Sequence, residues 1–274
     1  MKEMMRRLLR IAFLLVFVVS TVLLGRHMLD KRTGGEIYDN ALAIASQSKQ
    51  PQAQTVSPTL PTEIQSPDPV WVPEPVADDP HMEEMAQINL EALQQVNPEV
   101  IGWIRIPDTK VDYPLMQGQD NDFYLGHTWE KEKNYVGSVF MEHRNNPDLG
   151  DFNTIIYAHN MNDGSMFGTL SKYYDSAYWK KHPYVYIATA SGVLRYEVFA
   201  FYKAAVDSPT YGLSFRQVQT KVDFLTHSRD ERRYDTGILP EGQDRVLTLS
   251  TCTASGTEKR WVLQARLKMI EVQP

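Results

Sequence analysis

The chain has 274 residues, 42% of them hydrophobic, enough for one substantial domain with appendages. A net charge of −6 with no basic stripe argues against a nucleic-acid partner. The single cysteine, Cys252, excludes an intramolecular disulfide; it fits either a reduced cytosolic protein or an exported one that does without disulfides.

The N-terminus favours export. Lys2, Arg6, Arg7 and Arg10 precede an uncharged run from Ile11 to Gly25. That run is short of the roughly 20 residues of a spanning helix, but Leu8 and Leu9 lengthen it if Arg10 snorkels. A cleaved signal peptide is the alternative, although no small-x-small site follows the run. Arg26, Lys31 and Arg32 lie beyond it and keep the charge bias across it modest. Next, Glu36 to Ala45 has the spacing of a short helix, with Ile37, Ala41, Ile44 and Ala45 on one face. From Ser46 to Pro80 the composition changes, and half of the chain's 16 prolines fall there amid Gln, Ser, Thr and Asp. Such a stretch buries too little apolar surface to order itself. Residues 26–80 are therefore expected to be an extended, semi-rigid tether, with Trp71 a lone solvated aromatic.

Residues 81–274 read as the folded domain. Met85, Ile88, Ala92 and Val96 predict a helix that Pro98 ends. Strands then dominate: Val100–Ile106, Val111–Gln117, Val136–Glu142, Phe152–His159, Tyr184–Ala190, Val193–Val206, Arg245–Cys252 and Arg260–Ile270. Leu194, Tyr196, Val198, Ala200 and Tyr202 alternate as one face of a sheet does. Two helical insertions interrupt them, one over about Ser165–His182. The other starts at Ser214, which with Gln217 reads as a capping box, and Phe215, Val218, Val222 and Leu225 line one face. Eight strands with few long helices predict a mainly β fold, a closed or nearly closed barrel.

The chemistry gathers at the C-terminal pair of strands. Ser255 and Gly256 mark a turn between Cys252 and Arg260, so an antiparallel hairpin would set a thiol beside a permanent cation. A cation lowers a thiol pKa and stabilises an oxyanion, as a cysteine nucleophile requires. Taken alone, a buried inert cysteine and a surface arginine explain the same residues. His159 ends an apolar strand and precedes a loop; a lone histidine there is more often structural than catalytic. His27, His127, His143, His182 and His227 are read as surface or packing residues. No His/Cys/Asp spacing suggests zinc and no glycine-rich loop suggests a phosphate cradle, so no cofactor is expected.

Thr248-Leu-Ser-Thr-Cys252, followed by Arg260, resembles the TLxTC signature of the sortases and their essential arginine. Ile155-Ile-Tyr-Ala-His-Asn-Met-Asn-Asp-Gly-Ser-Met-Phe-Gly168 is similar to the segment that carries the sortase histidine, in its class B wording. Asn97-Pro-Glu-Val-Ile-Gly-Trp103, Asp112-Tyr-Pro-Leu-Met-Gln-Gly118 and Tyr234-Asp-Thr-Gly237 match in the same order, so the resemblance runs from about Asn97 to Ile270. It implies an eight-stranded sortase-type barrel with an N-terminal helix and helical insertions before the cysteine strand.

The resemblance further implies a cysteine transpeptidase. Cys252 would be its nucleophile, His159 its acid and base, and Arg260 the group that holds the substrate carbonyl or backbone. Leu249, Ser250 and Thr251 would lie along the substrate, with Ser250 at the variable signature position. The implied partners are exported proteins bearing a C-terminal sorting signal and an amine from a peptidoglycan precursor or the wall. It also favours residues 1–7 as a cytoplasmic end, residues 8–25 as an uncleaved single-pass anchor, and a domain outside the cell membrane. Two other readings stay open: another exported cysteine peptidase or acyl-transferase, and a catalytically inactive module that binds sorting signals.

Overall fold

The computed structural model describes residues 2–47, 70–73, 79–252 and 258–272. Its centre is a barrel of eight strands: β2 (Val100–Arg105), β3 (Asp112–Met116), β4 (Val139–Met141), β5 (Asn153–His159), β6 (Tyr184–Thr189), β7 (Gly192–Ala205), β8 (Val246–Cys252) and β9 (Lys259–Leu267). They close in the order β2-β3-β4-β5-β8-β9-β7-β6, with β3–β4 and β5–β8 parallel and the other neighbours antiparallel. Closure leaves no sheet edge, which is how an all-β wall avoids unpaired backbone groups. All eight expected strands are present, trimmed by up to three residues at their ends. The last of them stops at Leu267, and Met269–Val272 forms a separate strand, β10.

Alternate residues of each strand fill the barrel. Trp103, Leu115, Ile156, Leu249 and Leu263 belong to one buried cluster inside it. A smaller cluster covers the outer face, where Val246, Val262 and Tyr202 meet Phe224 of the helix α5 (Val218–Glu231). This helix begins four residues after Ser214, and no side chain caps it. The capping box expected there does not form, because the chain before the helix is extended at Gln217 and Phe215 is held elsewhere. Phe215 packs with Phe152 and Phe224, ring centres 4.6 and 5.2 Å away. The other insertion is a 3-10 turn, Gly168–Tyr174, followed by α4 (Ser176–Lys181).

The N-terminal part departs most from expectation. The short helix expected over Glu36–Ala45 is the end of one helix, α1, running from Lys2 to Ala45. Its last turns are packed: Tyr38, Ala41 and Ala45 are buried in the main cluster, and Gly34 lies so close to the domain that a Cβ there would sit 2.9 Å from Val136. The helix expected around Met85 to Val96 is two, α2 (Pro80–Ala86) and α3 (Leu90–Val96). Asn89 breaks it, because its side chain caps the Ala92 N–H while its own N–H bonds the Ala45 carbonyl at the end of α1. Residues 26–45, expected as part of the tether, belong to α1 and its docked end, whereas residues 48–69 and 74–78 of the expected tether lie outside the described residues. Within that stretch β1 (Val70–Pro73) pairs antiparallel with β10, and Trp71 stands opposite Glu271. Main-chain pairing supplies the order that its side-chain composition does not.

Candidate active site

Period two along the barrel wall sorts the three expected catalytic positions. On β5, Ile156 and Ala158 face the interior cluster, so Tyr157 and His159 take the other face. On β8, Leu247 and Leu249 face inward, which puts Ser250 outward. On β9, Leu263 and Ala265 are inward, which puts Val262 and Arg260 outward. Register then aligns them. The parallel β5–β8 ladder sets His159 opposite Cys252. The β8–β9 ladder pairs Val246 to Ser250 with Arg266 to Val262, and continuing that register by two residues would bring position 260 opposite position 252. Adjacent strands lie about 4.8 Å apart. Positions 159, 252 and 260 thus form a row across one face at one end of the barrel. The turn from Thr253 to Thr257 lies outside the described residues, and of Cys252 only the backbone is described.

His159 is held by its loop neighbours. Its Nε2 lies 2.7 Å from the Leu125 carbonyl, which only accepts. Nε2 therefore carries a proton in either charge state, and Nδ1 is the nitrogen that gains or loses one. The carbonyl can come this close because residue 137 is glycine. Its φ is +62°, and a Cβ there would lie 2.7 Å from that carbonyl and 3.0 Å from the imidazole.

Beside this row is a cleft of about 310 Å³ whose lining includes Asn121, Glu142, Tyr157, Tyr211, Ser250 and Arg260. Ser250 Oγ and the Tyr211 hydroxyl are 2.9 Å apart. Glu142 is buried, and burial by itself raises its pKa. The Arg144 guanidinium at 2.7 Å and the Asn121 amide at 2.6 Å outweigh this and hold the carboxyl below its usual range. Glu142 is therefore held ionised, and its charge is paired with that of Arg144, which lines the same cleft.

The three residues before the cysteine separate. Ser250 lines the cleft, whereas Leu249 is buried inside the barrel, away from it. Thr251 is buried too, and its hydroxyl accepts the Trp261 N–H across the hairpin at 3.1 Å. Among the other histidines, His143 lies 3.1 Å from Glu142 and His127 stacks on Phe123 at 4.0 Å. His182 bonds the Pro107 carbonyl, and His227 lies beside Ser208. Sequence reasoning missed Asn121, Glu142, Tyr157 and Tyr211. Tyr157 was readable two residues before His159 on the same strand; nothing in the sequence marks the others, which reach the cleft from distant segments. Among the described residues no group of His, Cys, Asp and Glu is arranged to hold a metal ion.

Residues 104–268 match the Sortase domain family. A sortase B of Listeria monocytogenes is 41% identical over 182 residues, covering 65% of this chain and 73% of that protein. A crystal structure of sortase B from B. anthracis aligns with a TM-score of 0.69 at 30% identity, over 89% of this chain and 100% of that one. A Staphylococcus aureus sortase B–substrate complex aligns with a TM-score of 0.63 at 31% identity, over 67% of this chain and 85% of that one.

Proposed function

Because this chain belongs to the sortase family of cysteine transpeptidases, and within it to class B, we propose that it cleaves the C-terminal sorting signal of exported proteins and transfers them to a cell-wall amine. The observation that carries this is the alignment of His159, Cys252 and Arg260 on three adjacent strands.

In this reading the Cys252 thiolate attacks the scissile carbonyl. The Arg260 guanidinium, with donors in a fixed plane, receives the negative charge that develops on the carbonyl oxygen. The imidazolium of His159 gives its Nδ1 proton to the departing amine, and a thioester remains on Cys252. The neutral imidazole then takes a proton from an incoming wall amine as that amine attacks the thioester. This releases the thiolate and forms the new amide. The sorting peptide lies along the cleft beside Ser250 and Tyr157. A solved S. aureus relative holds a substrate, which supports a peptide-binding groove on this architecture.

The test is to incubate the protein with a library of five-residue sorting peptides, with and without triglycine as amine, and to read products and enzyme mass. Cleavage, an acyl adduct on Cys252 and transfer to triglycine are expected, and Cys252→Ala should remove all three. Cleavage with no transfer to any amine would make the protein a peptidase. Binding without an adduct would make it an inactive binding module.

A further inference from the structure

We propose that the docked end of α1 belongs to the catalytic machinery, with Tyr38 as a positioning residue for His159. This rests on the reading of His159 as the acid–base group. One segment of chain holds the His159 imidazole and another its backbone, and Tyr38 touches the support of both.

One segment is the loop from Phe123 to Ser138, which supplies the Leu125 carbonyl to His159 Nε2. Its two arms are joined by Ser138 N–H to the Tyr124 carbonyl at 2.9 Å and Asn134 N–H to the Gly126 carbonyl at 2.9 Å, among other turn bonds. Asn97 holds it from one side, its amide donating to the Trp129 carbonyl and the Tyr124 hydroxyl, and α1 holds it from the other. The Tyr38 hydroxyl donates to the Gly137 carbonyl at 2.5 Å and lies 3.1 Å from Ser138 Oγ, which bonds the His127 carbonyl. Trp129 Nε1 donates to the Ile37 carbonyl at 3.2 Å, and the Asn134 amide donates to the Asp30 carbonyl at 2.9 Å.

The other segment follows His159. The Phe167 N–H bonds the His159 carbonyl at 3.0 Å, and the Met166 N–H bonds the Tyr113 hydroxyl at 3.0 Å. Tyr113 meets the Tyr38 ring edge to face, with centres 5.2 Å apart. In the same loop Asp163 pairs with Lys31 of α1 at 3.1 Å. A buried tyrosine hydroxyl with a defined acceptor is a rigid strut, and small displacements of an acid–base group are costly in rate. Removing the strut lets the Gly137 turn and the Leu125 carbonyl shift, and the imidazole with them, while the cleft that binds peptide is untouched.

The experiment uses the full chain in detergent, a fluorescence-quenched sorting peptide chosen from the library above, and triglycine. Tyr38→Phe keeps the ring and removes the hydroxyl. It should lower kcat roughly 10-fold with KM changed by less than about twofold. On a His159→Ala background the same change should alter the residual rate by less than about twofold, because the group it positions is gone. Equal losses on both backgrounds, or an unchanged kcat in Tyr38→Phe alone, overturn the proposal. If Tyr38→Phe does not fold, Tyr113→Phe carries the same expectation from the other side of the histidine. A His159→Ala protein with near-normal kcat overturns the acid–base assignment itself, and the positioning role falls with it. A lowered rate in His159→Ala beside an unaffected Tyr38→Phe removes only the positioning role.

Discussion

Arginine and lysine carry the same charge, so Arg260→Lys separates attraction from directed hydrogen bonding. If the cation only lowers the thiol pKa, lysine serves nearly as well. If it presents donors to the carbonyl and oxyanion, a flexible ammonium cannot replace the planar fork. The position of Arg260 on the strand next to that of Cys252, lining the cleft, favours donors aimed at the reacting carbonyl. The expected loss is roughly 10²-fold in kcat/KM, with little change in the pH dependence of Cys252 alkylation. Near-normal turnover with lysine would refute this. The neighbouring histidine should behave as an acid–base group: His159→Ala costs on the order of 10²- to 10⁴-fold in kcat, while His143→Ala stays close to the parent. A larger loss in the His143 variant would move the role to that residue. Asp163 makes a separate prediction about stability. Burial raises its pKa, but hydrogen bonds from Ser165 and the Lys31 ammonium prevail and bring it from the ordinary 3.8 to about 2. The unfolded chain then takes up this proton first as pH falls, so the contribution is complete above about pH 4 and lost towards pH 2. Thermal midpoints of the parent and Asp163→Asn should therefore differ at pH 5 and converge near pH 2. A gap that persists at pH 2 would assign the difference to packing.

At the scale of elements, the barrel strands and α1 do different work. The β5–β8–β9 ladders set the row of proposed catalytic positions, and α1 packs against the loop whose Leu125 carbonyl meets His159. Truncation separates these roles. A chain beginning at Met82 keeps every barrel strand but loses Tyr38, Ala41 and Ala45 from the core, together with the acceptors for Trp129 and Asn134. It is expected to aggregate or to melt well below the longer protein, because buried aromatic and apolar surface is uncovered. A chain beginning near Met28 retains these contacts and should be soluble and active. Equal stability and activity of the two would show that the docked helix is dispensable. The Tyr234-Asp-Thr-Gly237 segment has a structural part of its own. Tyr234 donates to the Tyr173 carbonyl and Thr236 to the Phe199 carbonyl, and these bonds hold the chain against the barrel before it enters β8.

For the whole molecule, continuity of α1 sets the geometry. The helix is long and apolar enough to cross a membrane, and its docked end begins near Asp30. From Gly25 to Tyr38 is 13 helical steps, or about 20 Å. With residues 8–25 in a bilayer, the catalytic domain would be held close to the surface by a stiff post rather than a slack linker. Substrates presented at that surface would then meet the site at a raised effective concentration. The expected result is that the intact protein sediments with membranes and resists extraction by salt but not by detergent. A mature protein whose N-terminus begins after Gly25 would show that the apolar run is a cleaved signal instead.

The strands, their order of appearance and the family were legible in the sequence, because alternation and signature residues are local properties. So was the stretch of the chain that folds as a barrel. What local pattern could not reveal was set by long-range packing. Leu249 and Ser250 are neighbours in sequence, yet the pleat sends one into the core and the other into the cleft. Asn121 and Glu142 meet across 21 positions of sequence, and their approach depends on the closure of β3, β4 and β5. The largest difference is at the N-terminus. A proline-rich composition reports that a segment cannot order itself; it is silent on where the two ends of that segment are fixed. Ala45 and Asn89 meet through one backbone hydrogen bond, and that contact, invisible to composition and periodicity, fixes the end of α1 beside the start of α3.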